Sequence, residues 1–185
     1  MAIHKPNPLV PVLETKRTIL RGHTVDDYPD SHAMWSEEIV VKHISGVPST
    51  ESESWERLLR YSGLWQMMKY GFWLVEEKST GHFLGEVGFA NYKRDITPSL
   101  DDLPEVGWVF APSAHGKGFA SEAVAEAIKW GDANLPENKT VCIFDPEHAR
   151  SIKTATKNGY TKRGIADYMG GPTLVMERTN PNHAS

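Results

Sequence analysis

The stretch best suited to chemistry is residues 112–123, which reads Pro-Ser-Ala-His-Gly-Lys-Gly-Phe-Ala-Ser-Glu-Ala. Gly116 and Gly118 flank Lys117 at the point where a predicted strand meets a predicted amphipathic helix. Glycine lets backbone N–H groups crowd around a ligand, and a helix N-terminus carries about half a positive charge. The segment therefore predicts a cradle for phosphate groups, with a purely structural tight turn as the alternative.

Two other phosphate-binding patterns fit this segment poorly. A P-loop requires Gly-x-x-x-x-Gly-Lys-Ser/Thr, but Lys117 is followed by Gly118 and the earlier glycine position holds Ala111. A dinucleotide fingerprint requires Gly-x-Gly-x-x-Gly directly after a first strand, but Ser121 replaces the third glycine and the segment lies past mid-chain. A nucleotide-dependent enzyme of another fold is therefore disfavoured.

The other residues that often carry catalysis show no catalytic spacing. The eight histidines include no His-x-x-x-His pair and no His-x-x-Glu-His set, so no metal site is predicted. The single cysteine, Cys142, lies in an apolar run typical of a buried core thiol. No serine stands in a Gly-x-Ser-x-Gly elbow, so a hydrolase triad has no support.

The elements that must position the glycine-rich segment follow from hydrophobic periodicity. Strands are predicted at 18–21, 71–77, 83–89, 105–110 and 140–144, with two short ones near 160–165 and 173–178. The strand at 140–144 is apolar throughout, which is typical of burial on both faces, and 92–104 reads as a loop. With the intervening helices, this order predicts a mixed α/β (α+β) sheet domain.

Capping residues mark the predicted helices. Thr24 opens one that runs loosely to about residue 39, and Thr50, with Glu53 as its capping-box partner, opens the next. This second helix is predicted to bury one face made of Trp55, Leu58, Leu59 and Ser62. A third helix carries the apolar stripe Ala120, Ala123, Val124, Ala127 and Ile128. A fourth begins at Pro146 and ends at Asn158-Gly159.

Composition limits the class of protein. A chain of 185 residues suits one domain over 1–185, with a core of about 15–178, an N-terminal arm at 1–14 and a tail at 179–185. Twenty basic and 24 acidic residues give a net charge of −4, which disfavours a nucleic-acid partner. One cysteine, no apolar run long enough to span a bilayer and a proline-broken start favour a cytoplasmic protein with no membrane partner.

Four segments together resemble a known family. They are Glu-Val-Gly-Trp-Val-Phe at 105–110, the glycine-rich segment at 112–123, Asp-Pro-x-His-x-x-Ser at 145–151 and Lys-x-Gly-Tyr at 157–160. Over about residues 15–178 the chain resembles the GNAT N-acetyltransferases, and most of all the RimJ/RimL-like branch that acetylates ribosomal-protein N-termini and related amines. The resemblance implies the acyl-CoA N-acyltransferase fold: a central twisted sheet, flanked by helices, that splays to admit acetyl-CoA.

The resemblance also implies which residues hold the donor. Backbone amides of the loop and helix start would bind the CoA pyrophosphate, and these belong to His115, Gly116, Lys117, Gly118, Phe119 and Ala120. Trp108, Val109 and Phe110 would lie along the pantetheine and offer backbone N–H groups to the thioester.

The chain departs from the family pattern at three positions. His115 replaces the usual tryptophan, and His148 stands where relatives have an asparagine that touches pantetheine. Ala155 replaces a tyrosine that protonates the leaving thiolate in many relatives. Ser151, one helical turn earlier, becomes the candidate donor to the CoA sulfur, with a bland helix serine as the alternative.

Direct transfer also needs a base that deprotonates the acceptor's ammonium, since a thioester is already activated. Glu105 matches an acidic residue of this branch and is the candidate base, directly or through water; alternatively it merely ends an acidic loop. Glu86 is a weaker candidate, because a mid-strand glutamate usually faces water.

These inferences predict an acetyl-CoA-dependent N-acetyltransferase that transfers the acetyl group to a primary amine, either a protein N-terminus or a small molecule. The alternative is a catalytically silent acyl-CoA-binding module of the same fold. A homodimer is possible by family resemblance.

Overall fold

The computed structural model describes residues 8–183. Within them, five α-helices accompany nine strands. The helices are α1 (Tyr28–Trp35), α2 (Glu38–Val41), α3 (Glu51–Met68), α4 (Phe119–Asn134) and α5 (Ala149–Lys157). The strands are β1 (Leu13–Glu14), β2 (Thr18–Arg21), β3 (Phe72–Glu77), β4 (Phe83–Ala90), β5 (Ile96–Thr97), β6 (Glu105–Phe110), β7 (Lys139–Phe144), β8 (Thr161–Tyr168) and β9 (Gly171–Thr179). The predicted mixed α/β sheet is confirmed.

The described strands form one mixed sheet in the order β1-β2-β3-β4-β6-β7-β9-β8-β5. Strands β3, β4 and β6 pair antiparallel along most of their length, and so do β7, β9 and β8. Between these halves, β6 and β7 run parallel and register at one pair, Glu105 with Val141. The two halves therefore separate beyond that pair, which is the splay that the family resemblance implies.

Helix α4 covers one face of the sheet. Ala123, Val124, Ala127 and Ile128 are buried and Ala120 is partly buried against the same core, which confirms the predicted stripe. They pack in the main core with large strand residues such as Trp73, Val87 and Phe89. The centre of β7 is buried on both sides, since Cys142 joins this core and Val141 joins a second cluster on the other face.

Helix α3 begins as predicted but buries a different face. The Glu53 N–H donates to Thr50 Oγ1 at 3.3 Å and the Thr50 N–H donates to Glu53 Oε2 at 2.8 Å, which forms the capping box. Its buried residues are Ser54, Leu58, Tyr61 and Trp65. The predicted face was wrong at Trp55 and Leu59, which are 40% and 50% exposed. Each residue turns a helix by about 100°, so packing of Tyr61 and Trp65 rotates the buried stripe away from them.

The helix predicted to run from Thr24 to about residue 39 is broken into three pieces. A 3₁₀ turn at Val25–Asp27 precedes α1, and Glu37 then adopts an extended backbone with ψ of 120° before α2. The break lets Val40 and Val41 of α2 pack in a small cluster against the end of β6. A continuous helix would not bring these two valines to that strand.

At both ends, the packed domain extends beyond the core of about 15–178 that the sequence predicts. Val10 is buried in the main core, and the Pro11 carbonyl accepts a hydrogen bond from Trp73 Nε1 at 2.9 Å. At the other end, β9 reaches Thr179 and the buried Asn180 donates its N–H to the Asn138 carbonyl at 2.8 Å. Residues 1–7 of the arm and 184–185 of the tail lie outside the described residues. No helix within residues 8–183 is long and apolar enough to cross a membrane.

Candidate active site

A cleft of about 950 Å³ opens where β6 and β7 separate. Four segments line it: α2 with the following loop (39–44), the end of β6 (108–110), the turn into α4 (114–121), and α5 with the two residues before it (147–157). Of the predicted donor-binding residues, the cleft is lined by Trp108, Val109, Phe110, His115, Gly116, Gly118, Ala120, His148 and Ser151. The splayed fold thus brings most of these residues to one place.

The glycine loop, residues 115–118, leads directly into α4. Gly116 and Gly118 have φ of +74° and +82°, a left-handed region that side-chain-bearing residues rarely adopt. Gly118 is the N-cap of α4, so the free N–H groups of the first helical turn lie beside the loop. No heavy atom lies within 4 Å of a Cβ built on Gly116, so the loop surface is open there.

Contacts from Arg17 and from the end of β6 hold this loop in place. Arg17 Nη1 donates to the Lys117 carbonyl at 2.9 Å, and Arg17 Nε pairs with Glu122 on the first turn of α4 at 2.8 Å. A ring nitrogen of His115 lies 2.9 Å from the Phe110 carbonyl oxygen and ties the loop to β6. The loop is therefore held in position without any ligand.

The end of β6 forms the floor of the cleft. Its Trp108, Val109 and Phe110 pair with β4 along one edge, while the edge towards β7 lies in the splayed region. The Trp108 ring packs against the Phe144 ring at the end of β7, with the two ring centroids 5.4 Å apart. Backbone donors along this edge can bind an extended ligand, as in strand addition.

Helix α5 contributes both predicted and unforeseen residues. Ser151 is buried, with its Oγ 3.4 Å from His148 Nε2, and Ala155 is fully buried in the core. Three cations that the sequence reasoning missed also line the cleft, namely Arg150, Lys153 and Lys157. Their spacing of three and four residues along one helix face is a signal that could have found them.

A second missed feature is a histidine cluster made of His43, Asp145 and His148. His43 Nδ1 lies 2.7 Å from Asp145 Oδ2, and its ring stacks on His148 with centroids 4.8 Å apart and planes 15° apart. The hydrogen bond from His43 lowers the pKa of Asp145 below its usual range. Burial and the neighbouring His43 lower the pKa of His148. The cluster joins the loop after α2 to the segment between β7 and α5.

Glu105, the predicted base, is buried outside this cleft. Both of its carboxylate oxygens accept hydrogen bonds from Arg94, at 2.6 and 2.8 Å. The Arg94 guanidinium also lies 4.4 Å from the Tyr92 ring centroid and donates to the Tyr168 hydroxyl at 2.6 Å. Glu105 borders a separate small cavity of about 40 Å³. The structure therefore does not bring Glu105 and Ser151 to the same cavity.

Glu86 does not face water, so that expectation was wrong. Helices α1 and α3 cover this side of β4, and Glu86 is 0% exposed. Its carboxylate accepts hydrogen bonds from Ser31 Oγ at 2.6 Å and from Trp35 Nε1 and Tyr61 Oη, both at 2.9 Å. Burial works to raise the pKa of Glu86, but His23 at 3.5 Å and these donors outweigh it and hold the pKa below its ordinary value.

Among residues 8–183, no group of three or more His, Cys, Asp or Glu side chains is arranged to hold a metal ion. The cleft itself offers backbone N–H groups, cationic side chains, imidazoles, the hydroxyls of Ser121, Ser151 and Thr154, and the Glu147 carboxylate.

Comparison with known proteins identifies the family. Residues 17–161 match the family model described as acetyltransferase (GNAT) domain, which is well over half of the chain. The chain therefore belongs to the GNAT acetyltransferase family, and it is an acetyltransferase. This confirms the resemblance seen in the sequence.

Individual relatives agree with that assignment. The uncharacterized N-acetyltransferase YoaA of Bacillus subtilis is 24% identical over 159 residues, covering 85% of this chain and 86% of YoaA. The solved structure of a GnaT-family acetyltransferase from Bordetella pertussis matches with a TM-score of 0.80 and 25% identity, over 91% of this chain and 99% of that one. RimL, described as a ribosomal L7/L12 alpha-N-protein acetyltransferase in complex with coenzyme A, matches with a TM-score of 0.76 and 13% identity, over 93% and 99%. The RimJ/RimL-like resemblance thus holds in the fold.

Proposed function

We propose that this acetyltransferase uses acetyl-CoA and transfers the acetyl group directly to a primary amine, either a protein N-terminus or a small molecule. The observation that carries the proposal is the placement of the glycine loop, with the N-terminus of α4, across one cleft from the splayed edge of β6. One side offers donors for a pyrophosphate, and the other offers donors for an extended chain that ends in a thioester.

The charge of the cleft supports a polyphosphate ligand. Lys42, Arg150, Lys153 and Lys157 line it, against the single acidic side chain of Glu147 among the lining residues. In the proposal, the backbone amides of residues 115–120 hold the pyrophosphate and the cations of α5 hold the remaining phosphate. Trp108, Val109 and Phe110 lie along the pantetheine arm.

Two residues carry predicted roles in proton transfer. Ser151, beside His148, would donate its hydroxyl proton towards the CoA sulfur as the thiolate leaves. Glu105 is four residues from Val109, which is about 13 Å along a strand, so it would act as a base only through water. Its carboxylate is paired with Arg94 at 2.6 Å.

The acceptor class follows from this chemistry and from a relative. RimL acts on a protein α-amino group, and a primary amine is the simplest nucleophile for a thioester. The free, buried Cys142 fits the reducing cytoplasm predicted for the protein. A homodimer remains a prediction of the family resemblance.

The test is release of CoA thiol from acetyl-CoA with a panel of amines. The panel contains peptides that begin with Ser, Ala or Met, together with a polyamine and an aminoglycoside. We expect thiol release and mass addition of one acetyl group with at least one of them. Binding of acetyl-CoA without turnover on any amine would contradict the proposal and favour a silent acyl-CoA-binding module.

A further inference from the structure

His43 is held on two sides by residues that lie about a hundred positions further along the chain. Its Nδ1 is 2.7 Å from Asp145 Oδ2, and its ring stacks on His148. A carboxylate can only accept a hydrogen bond, so Nδ1 carries the hydrogen of the neutral ring. Nε2 then keeps a free lone pair, which is the arrangement of a histidine base oriented by an aspartate.

His43 also lies in the cleft proposed to bind the donor. His43 lines the same cleft as Trp108, Val109 and Phe110. The helix that precedes it, α2, packs Val40 and Val41 in the cluster that Val109 joins. Glu105, in contrast, lies about 13 Å along β6 from Val109 and directs both oxygens at Arg94.

We propose that His43, oriented by Asp145, is the catalytic base that takes the proton from the acceptor's ammonium group. This inference rests on the proposed function and names a base inside its cleft. The ammonium N–H bond breaks and the proton goes to His43 Nε2, which leaves a neutral amine. The amine nitrogen then bonds to the thioester carbon and the C–S bond breaks. As the amide forms, Ser151 gives its hydroxyl proton to the leaving thiolate and takes up the second proton from the nitrogen, so that the proton held by His43 is the one released to solvent.

The surrounding charges favour this role. Asp145 stays ionised because its pKa is lowered, so a negative charge lies 2.7 Å from the His43 ring. His148 has a lowered pKa and stays neutral at neutral pH, so it adds no competing charge against the His43 ring. The other charged or titratable groups facing this part of the cleft are Lys42 beside His43, His115 of the glycine loop, and Glu147 and Arg150 near α5.

The first test is the pH profile of kcat/KM, measured with the ammonium-bearing amine that gives the fastest thiol release in the panel. We expect His43→Gln to lower kcat/KM about 100-fold or more at neutral pH and to remove the acidic limb of the wild-type profile. Asp145→Asn moves that limb to lower pH, because the imidazolium loses its carboxylate. A wild-type limb that persists in His43→Gln would overturn the assignment.

The second test uses methoxyamine, whose amino group is already uncharged at neutral pH and needs no base. His43→Gln should transfer acetyl to methoxyamine at a rate within about threefold of wild type, since only the deprotonation step is lost. An equal loss with both amines would show that His43 serves structure alone and would overturn its role as base.

Two controls separate the possible failures. His82→Gln changes an exposed histidine in the β3–β4 turn and should leave both the pH profile of kcat/KM and the rate with methoxyamine unchanged. If Glu105→Gln removes the acidic limb and His43→Gln does not, the base is Glu105 and only this inference fails. If the wild-type protein binds acetyl-CoA but acetylates no amine, the proposed function fails and this inference fails with it.

Discussion

The two sides of the cleft are built in different ways. One side is a single stretch, residues 112–123, whose shape comes from two glycines with positive φ and the start of α4. The other side is assembled from residues 39–44 and 145–151, which meet through the contact of His43 with Asp145. The local side takes its shape from its own backbone conformation, and Arg17 braces it from outside the stretch. The assembled side depends on the packing that holds α1, α2 and α3 on the sheet.

The largest expected effect is on the free energy of unfolding, when the packing of α1 and α3 on the sheet is disrupted. Ser31 and Trp35 of α1 and Tyr61 of α3 all donate to the fully buried Glu86. Glu86→Ala leaves these donors without an acceptor, so we expect the free energy of unfolding to fall by about 3–5 kcal/mol in urea titrations. Glu86→Gln keeps one acceptor oxygen and should lose less. If Glu86→Ala lowered the free energy of unfolding by less than about 1 kcal/mol, the packing of these helices would not hold the assembled side together, and the difference between the two sides would disappear.

The next effect tests the local side. Gly116→Val puts a β-branched residue at φ of +74°, so the loop must change shape or crowd the ligand. We expect the Kd of acetyl-CoA, measured by calorimetry, to rise about 100-fold, which is about 2.7 kcal/mol. Gly81→Val is the matched control, because Gly81 has φ of +72° and no atom within 4 Å but lies in the β3–β4 turn. If Gly116→Val and Gly81→Val bound acetyl-CoA with the same Kd, the glycine loop would not be the phosphate-binding site.

A smaller effect concerns acid stability. The pKa of Glu86 is lowered in the folded protein, so its charged form contributes stability above the ordinary glutamate pKa. That contribution is lost as the pH falls from the ordinary value through the lowered one. The free energy of unfolding should therefore change little from about pH 7 to about pH 6 and decline below about pH 5, and Glu86→Gln should show a shallower decline. The same slope in both proteins would assign the acid sensitivity to other groups.

The smallest effect concerns the exposed cations of α5. Lys153→Ala should weaken acetyl-CoA binding by up to about fivefold at low salt, or up to about 1 kcal/mol, because Lys153 is exposed and screened. The difference from wild type should shrink as salt is added. Lys129→Ala on the far part of α4 is the control, since Lys129 is exposed and outside the cleft. If Lys129→Ala lost more affinity for acetyl-CoA than Lys153→Ala, the phosphates would not bind beside α5 and the prediction would be contradicted.

The sequence predicts most of what is local in this molecule. The Thr50–Glu53 capping box, the stripe on α4 and the position of the glycine turn between a strand and a helix depend mostly on near neighbours along the chain, and each is seen in the structure. Family resemblance adds the splay between β6 and β7.

Features that depend on distant contacts could not be predicted in the same way. The buried face of α3 is set by tertiary packing, and Glu86 is buried because two helices cover the middle of β4. The contact of His43 with Asp145 joins residues 102 positions apart, and no spacing rule connects them. The sequence predicts Glu105 as the base because Glu105 lies beside a recognisable motif, whereas the histidine cluster, and the base proposed from it, exist only once the chain has folded.

Thermal unfolding in parallel wells with acetyl-CoA, CoA, ATP or NAD tests the central claim most directly. A ligand at 100 times its Kd stabilises the fold by about 2.7 kcal/mol, which raises the Tm by several degrees. We predict that acetyl-CoA and CoA raise the Tm of the wild-type protein, that ATP and NAD do not, and that Gly116→Val loses the response. A shift with ATP or NAD and none with CoA would contradict the assignment of the cleft to acetyl-CoA.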